Sequence, residues 1–305
     1  MPPRRARPFL SRIPLGRALI ALGLVLVAIN VASAIWEVRE ARERTERSAQ
    51  RDLTNITRVL TEQTAASLDA VDVVLRDLVR TGDARAVARS MSRLRDELIH
   101  MPAIATLLVL DAEGRMLANT GETPPVDFGL SRHPSFTVHR YASADKLHLS
   151  EPYPAAAEGT RWRFLLSRRL AGPGGRFGGV AVAAMEMQSF DRLYRSIDLG
   201  EGSFIALLSD AGVILSRVPA PPGVRGRGIP RGRAISAVQK TGRFEGWTES
   251  PITDQQVLIA ALSVPGFPLF VASGRSAQAV LAPWRDEAWQ VFDRTLLTSL
   301  AMLAL

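Results

Sequence analysis

Arg132, His133, Phe136 and His139 place a guanidinium, two imidazoles and an aromatic ring within eight positions. Arg161 and Trp162 open the apolar run that follows, and Ser167, Arg168 and Arg169 lie further along it. Guanidinium forks match the paired oxygens of a carboxylate or phosphate, so this set points to capture of a small anion. If the run is a strand, alternate residues share a face. Arg161, Arg163 and Arg169 then point one way, and Trp162, Phe164 and Arg168 the other. The competing use of these arginines is solvation, or ion pairing with Glu151 and Glu158.

Other chemistries fit less well. His133, His139 and His148 have no helical ligand spacing, and the chain has no cysteine, so a metal site is not expected. GPGGRFGG lacks the Lys-Ser/Thr of a phosphate loop and reads as a hairpin turn. Ser150 and Ser167 lack the Gly-x-Ser-x-Gly elbow of a hydrolase. No catalytic residue, cofactor or enzymatic activity is expected of this chain.

The elements that must hold these residues follow from periodicity. Leu53, Ile56, Leu60, Leu68, Val71, Leu75 and Leu78 recur at three- and four-residue steps, one apolar stripe on a helix running from Glu37 to about Leu78. Its first part, EVREARERTERS, alternates in charge and reads as a solvated stalk or the start of a dimer's paired helices. Thr81-Gly82-Asp83 breaks the helix, and a second reaches about Leu98. Short strands are then expected near 104–110, 115–119, 162–169 and 177–186. The Pro-rich connection over 120–160 reads as a binding loop. A helix near 187–197 leads to strands near 203–209, 212–217, 243–249, 256–263 and 268–273.

The phrase TLLVLDAEGRMLA, from Thr106, returns as ALLSDAGVILS, from Ala206. Asp bonds the backbone two residues on and Gly takes positive φ freely, so each phrase predicts strand, turn, strand. The repeat implies two tandem antiparallel-sheet domains behind one long helix, an α+β fold.

Net charge is +8, but ten arginines sit in residues 1–17 and 217–233, which hold no acid. The rest is near neutral, and neither cluster is an aromatic-laced groove, so no nucleic-acid partner is expected. The 217–233 loop reads as mobile, with contact to lipid headgroups as the alternative. Residues 18–36 are apolar and uncharged, long enough to cross a bilayer, with arginines before them and Trp36 closing the run. Ala32-Ser33-Ala34 also resembles a signal-peptide cleavage site. Trp284 and Trp289 precede a second apolar run, VFDRTLLTSLAMLAL, read as a span left unfinished at Leu305 or as an amphipathic helix packed on the body.

The long-helix phrase LTEQTAASLDAVDVVLRDL carries a resemblance, with HPSFTVHRYASADKLHLSEPY, RWRFLLSRRLAGPGGRFGGVAVAAMEMQSFDRLY and VPGFPLFVASGRSAQAVLAPWR. In order and spacing the chain resembles the double Cache family, tandem PAS-like extracellular sensors of bacterial signalling proteins, over about 40–285. Charge and apolarity read 1–17 as a basic cytoplasmic N-terminus, 18–36 as a transmembrane helix and 37–100 as stalk helices, a layout the resemblance shares. The resemblance further implies a membrane-distal Cache domain (101–197), a membrane-proximal one (198–285) and the start of a second transmembrane helix (290–305). Residues of about 37–289 would lie outside the bacterial inner membrane. A small molecule would bind in the distal copy, and a homodimer would signal to a cytoplasmic histidine kinase, diguanylate cyclase or chemoreceptor region. Amino-acid-binding members carry an Arg followed by aromatics in the distal loop and an acid on a later strand. Arg132 and Phe136 stand near the first positions and Glu186 at the acid. The family's Trp-Tyr pair is missing and Pro134 interrupts, which leaves a carboxylate-bearing ligand as the implied class. The alternative is an anchored or secreted partner-binding protein without an output domain.

Overall fold

A computed structural model describes residues 15–98, 103–121, 129–142, 145–155 and 162–304. The chain divides into two compact units, Gln50–Ala279 and a unit formed by Met1–Ala49 with Val280–Leu305.

Helix α1 (Leu15–Thr81) is followed by α2 (Ala84–Leu98). The break falls at Gly82, whose φ of 127° suits only glycine, and Asp83 caps α2 by accepting from the Ala86 amide. Strands β1 (Ile104–Asp111) and β2 (Met116–Asn119) come next, then α3 (Pro134–Arg140), β3 (His148–Leu149) and β4 (Tyr153–Pro154). The long hairpin of β5 (Trp162–Ala171) and β6 (Phe177–Glu186) closes a sheet in the order β2-β1-β6-β5-β3, with β4 also on β5. Helix α4 (Met187–Arg195) leads to the second sheet. That sheet contains β7 (Ser203–Ser209), β8 (Ile214–Val218), β9 (Arg243–Glu249), β10 (Gln256–Ser263) and β11 (Leu269–Ser276) in the order β8-β7-β11-β10-β9, with α5 (Arg233–Thr241) before β9. The short α6 (Ala277–Val280) and long α7 (Ala282–Ala304) end the chain. The fold is α+β, a long helix followed by two tandem antiparallel sheets.

Each sheet is apolar on both faces, because each face meets a helix. Leu60, Leu68, Val71, Leu75 and Leu78 of α1 join one cluster with Phe164 and Leu166 of the first sheet and with Leu207 and Val271 of the second. The opposite face of the first sheet holds Leu108, Leu165 and Val182 with Phe136 of α3. That of the second holds Ala206, Ile259 and Phe270 with Ile235 and Val238 of α5. Both helices were missed in the sequence, α3 inside a Pro-rich stretch and α5 directly after a Pro/Gly-rich one.

The repeated phrase marks equivalent turns, but the alignment of its letters misleads. In the first copy the Asp111 carboxylate accepts from the Glu113 and Arg115 amides, and Gly114 takes φ 82°. In the second, Ser209 occupies the position of Asp111. Its hydroxyl accepts from the Val213 amide at 3.0 Å, and Gly212 takes φ 85°. Backbone bonds match accordingly: Asp111 N–H to Arg115 O, and Ser209 N–H to Val213 O. Asp210 is therefore one residue out of register with Asp111.

The 217–233 segment is not the mobile loop expected. Val224 is buried, the Gly226 amide donates to Ile214 O at 2.8 Å, and the Ile214 amide donates to Arg227 O at 3.0 Å. Arg225 is ion-paired with the buried Asp191 of α4, which also accepts from Ser216 Oγ at 2.6 Å. Those partners lie outside the segment, where its composition gives no sign of them.

Helix α1, over Leu19–Thr81, is the one helix among the described residues that is long and apolar enough to cross a membrane, its apolar window lying near the N-terminus, in the other unit. Asn30 donates to Thr298 Oγ1 and Ser299 Oγ of α7 at 2.8 and 3.1 Å. Trp284 Nε1 donates to Val38 O at 2.9 Å, and Arg294 pairs with Glu37.

The buried face of α1 is not wholly apolar. Thr57 shares a hydrogen bond with Ser273, Thr64 with Tyr194 at 3.1 Å, and Asp72 accepts from Arg168 Nε and Nη2 at 2.6 and 3.1 Å. Breaking a buried ion pair from one side strands the other charge. Arg168 keeps Asp145 at 2.7 Å, so Asp72→Ala should cost about 2 kcal/mol in urea unfolding of the 305-residue chain, and Asp72→Leu combined with Arg168→Met should recover part of it.

Candidate ligand-binding site

The outer face of the first sheet, covered by α3, gathers most of the polar side chains singled out in the sequence. β5 sends alternate residues to each face. Arg163, Leu165, Ser167 and Arg169 face α3, and Phe164, Leu166 and Leu170 face α1. His139, buried on α3, shares a 3.0 Å hydrogen bond with Ser167 Oγ. Its ring stands edge-on to His148 of β3, with centroids 6.1 Å apart. His133 caps α3 by accepting from the Ser135 amide and lies edge-on to Tyr153 of β4 at 6.4 Å. Phe136 is 1% exposed and packs edge-on against Phe177.

Arg163 and Glu186 are cross-strand partners on β5 and β6, and Tyr153 pairs in register with Arg163. Arg163 Nη2 donates to Glu186 Oε1 at 2.8 Å and Nε does so at 3.3 Å. The pair is set deep, the arginine side chain being 9% exposed and the glutamate 21%.

Burial decides the protonation of this face. It pushes His139 down to about 4, aided by the neighbouring His148, and it lowers His133 and His148 as well. It lifts the Tyr153 phenol to about 12. At neutral pH the face therefore offers three uncharged imidazoles, a phenol and a serine hydroxyl beside one Arg–Glu pair. His148 Nε2 and Ser135 Oγ are buried without hydrogen-bond partners among the described residues. Such a surface can hydrogen-bond a small polar molecule, with Arg163 suited to an anionic group and Glu186 to a cationic one.

His133, Phe136, His139 and Glu186 thus come together. Arg168 does not join them. It faces α1, where it is held by Asp72 and, at 2.7 Å, by Asp145. Trp162 shares that direction and is seated on Gly226, where an added Cβ would lie 2.8 Å from the ring. Arg132 is exposed at the end of a short 3-10 turn, and Arg161 lies outside the described residues. Arg163 and Tyr153 were not selected from the sequence. The GPGG hairpin supplied a clue, because folding the strands back on that turn sets Arg163 opposite Glu186.

The tandem sheets behind one long helix form the double Cache fold, that of extracellular ligand-binding domains of histidine kinases and chemoreceptors. The extracellular domain assigned to the histidine kinase rpHK1S-Z16 is 26% identical, with a TM-score of 0.66 over 78% of this chain and 98% of that one. The ligand-binding domain of the Pseudomonas aeruginosa PAO1 amino acid chemoreceptor PctC, solved with GABA, is 17% identical, with a TM-score of 0.55 over 74% and 99%. That of Mlp24, solved with asparagine, is 13% identical, with a TM-score of 0.57 over 80% and 99%. No protein-family model and no curated protein matches the chain.

The depressed His139 gives a pH signature. Between its ordinary 6.5 and about 4 the unfolded chain binds more protons than the folded one, so stability is full above 6.5 and declines as pH falls toward 4. In thermal melts across that interval His139→Gln should flatten part of the decline, leaving the share owed to His133 and His148.

Proposed function

We propose that this chain is the extracytoplasmic sensing region of a bacterial transmembrane receptor, with a small carboxylate-bearing ligand held on the outer face of the first sheet. Residues 101–197 form the membrane-distal, ligand-binding Cache domain and 198–285 the membrane-proximal one. The apolar start of α1 anchors the receptor in the inner membrane, where it works as a homodimer and drives a cytoplasmic histidine kinase or diguanylate cyclase.

The Arg163–Glu186 pair carries this reading. A ligand carboxylate can take over the guanidinium fork, and a ligand ammonium can take the glutamate that it releases. The GABA, L-leucine and L-Arg of the solved chemoreceptor domains of this fold carry both groups. Tyr153, His133 and His139 then supply uncharged hydrogen-bonding groups around the ligand. Binding shifts a two-state receptor only by the ligand's difference in affinity for the two states.

Thermal shift of the full chain in lipid nanodiscs, against L-asparagine, GABA and their matching des-amino acids, none of which has an aromatic or branched body, tests the assignment. A ligand stabilises the folded state in proportion to its occupancy. The expected result is a raised melting temperature with at least one carboxylate. Arg163→Gln should abolish the response to all of them, and Glu186→Gln only the response to those with an amino group. The absence of any response, or a response unchanged in Arg163→Gln, would overturn it.

A further inference from the structure

The second sheet carries a hollow of its own, partly open to solvent. A cavity of about 190 Å³ lies between its outer face and the first turn of α5. Cross-strand partners explain the hollow. Arg217 of β8 pairs with Ala206 of β7, Ala206 with Ala272 of β11, Ala272 with Ala261 of β10, and Ala261 with Phe244 of β9. Directly paired residues share a face, so one row across the sheet reads Arg, Ala, Ala, Ala, Phe. Three methyl side chains leave room where larger ones would fill it. The space exceeds the roughly 150 Å³ at which an apolar cavity accepts a benzene ring.

Arg217 stands at one end of this row, 6% exposed and lining the cavity. Its guanidinium lies 4.5 Å over the Phe204 ring and donates one hydrogen bond, from Nη1 to Pro219 O at 2.8 Å. Among the described residues no carboxylate pairs with it, whereas the other two buried arginines, Arg163 and Arg168, are paired with Glu186 and Asp72. Glu249 sits at the rim and is exposed. Burial lowers the Arg217 pKa with no acid acting against it. A buried charge without a counter-ion is desolvated with nothing to offset the loss. The first turn of α5 also lines the cavity, and its N-cap, Gly232, offers no side-chain acceptor, so the positive end of that helix faces the same space.

We infer that the second sheet module is itself a ligand site, binding a small monocarboxylate with an aromatic or branched aliphatic body. The carboxylate pairs with Arg217, and the body lies over Ala206, Ala272 and Ala261. This site is separate from the Arg163 face and stands or falls independently of it.

Phenylacetate and 4-methylpentanoate are suitable probes, with phenylacetamide as the neutral match. They would be titrated into the full chain in nanodiscs by isothermal calorimetry and by ligand-observed NMR. The expected result is saturable binding of an acid, with the amide weaker by about tenfold or more. Arg217→Met should weaken the acids by a similar factor. Ala272→Leu should exclude acid and amide alike, and Arg163→Gln should leave binding intact. Circular dichroism melts identify a variant that has not folded, and the acid–amide comparison needs no variant. The inference is overturned if neither acid binds at roughly millimolar concentration, if acid and amide bind equally, or if Arg163→Gln rather than Arg217→Met removes binding.

Discussion

One helix face has to satisfy two sheets. From Leu60 to Leu78 the buried stripe of α1 enters a single apolar cluster with the inner faces of both, so neither sheet has an independent inner core. A purely greasy stripe would tolerate sliding, since one leucine replaces another after a turn of the helix. The polar interruptions remove that freedom. Thr57 meets Ser273 in the second sheet, Thr64 meets Tyr194 in the connecting helix, and Asp72 meets Arg168 in the first sheet. Each partner belongs to a different element, so displacement along the helix axis would leave buried polar groups unsatisfied, which is expensive.

Much of this was legible in the sequence, because strands and helices announce themselves by period. The longer strands of both sheets and the breaks around α1 and α2 fall within a few residues of where patterning puts them, whereas the two-residue β3 and β4 lie inside the stretch read as a loop. The illegible parts are of two kinds. Short helices hidden among prolines, α3 and α5, have too few turns to show a stripe. Long-range partnerships leave no local trace, and Arg168 finds Asp72 ninety-six residues away. For the candidate site, loop composition picked out His133, Phe136 and His139 and the resemblance alone supplied Glu186, and the fold sets all four on one face of the first sheet. Arg168 and Trp162 were not assignable, since the choice of face depends on where α1 lies. The turn at Ser209 shows a subtler failure, in which a matching Asp-Ala dipeptide concealed a one-residue offset.

The two outer faces use one architecture for unlike surfaces. The first is lined with imidazoles, a phenol and an ion pair that neutralises itself, a surface for polar contacts. The second is mainly hydrocarbon, with buried Arg217 at one edge and Arg233 and the exposed Glu249 also among its lining. Each arginine sits on a strand and faces a short helix, yet Arg163 has a glutamate directly opposite while Arg217 has an alanine. A single cross-strand partner thus separates a self-compensated charge from an uncompensated one. Arg163 lies on β5 and Arg217 on β8, strands that do not correspond in the two sheet orders, so the copies place their buried guanidiniums at different points of one architecture.

Trp162 and Gly226 bear on how such sensors can be recombined. The indole belongs to the first sheet, the glycine to a turn of the second, and the glycine's missing side chain is the space the ring occupies. The neighbouring Arg225 is tied to Asp191 on the connecting helix. A chimaera joined between α4 and β7 would separate a ring from its socket and a guanidinium from its counter-ion. Domain exchange in this protein therefore has to carry the 224–227 turn together with the first sheet, or redesign both contacts at once.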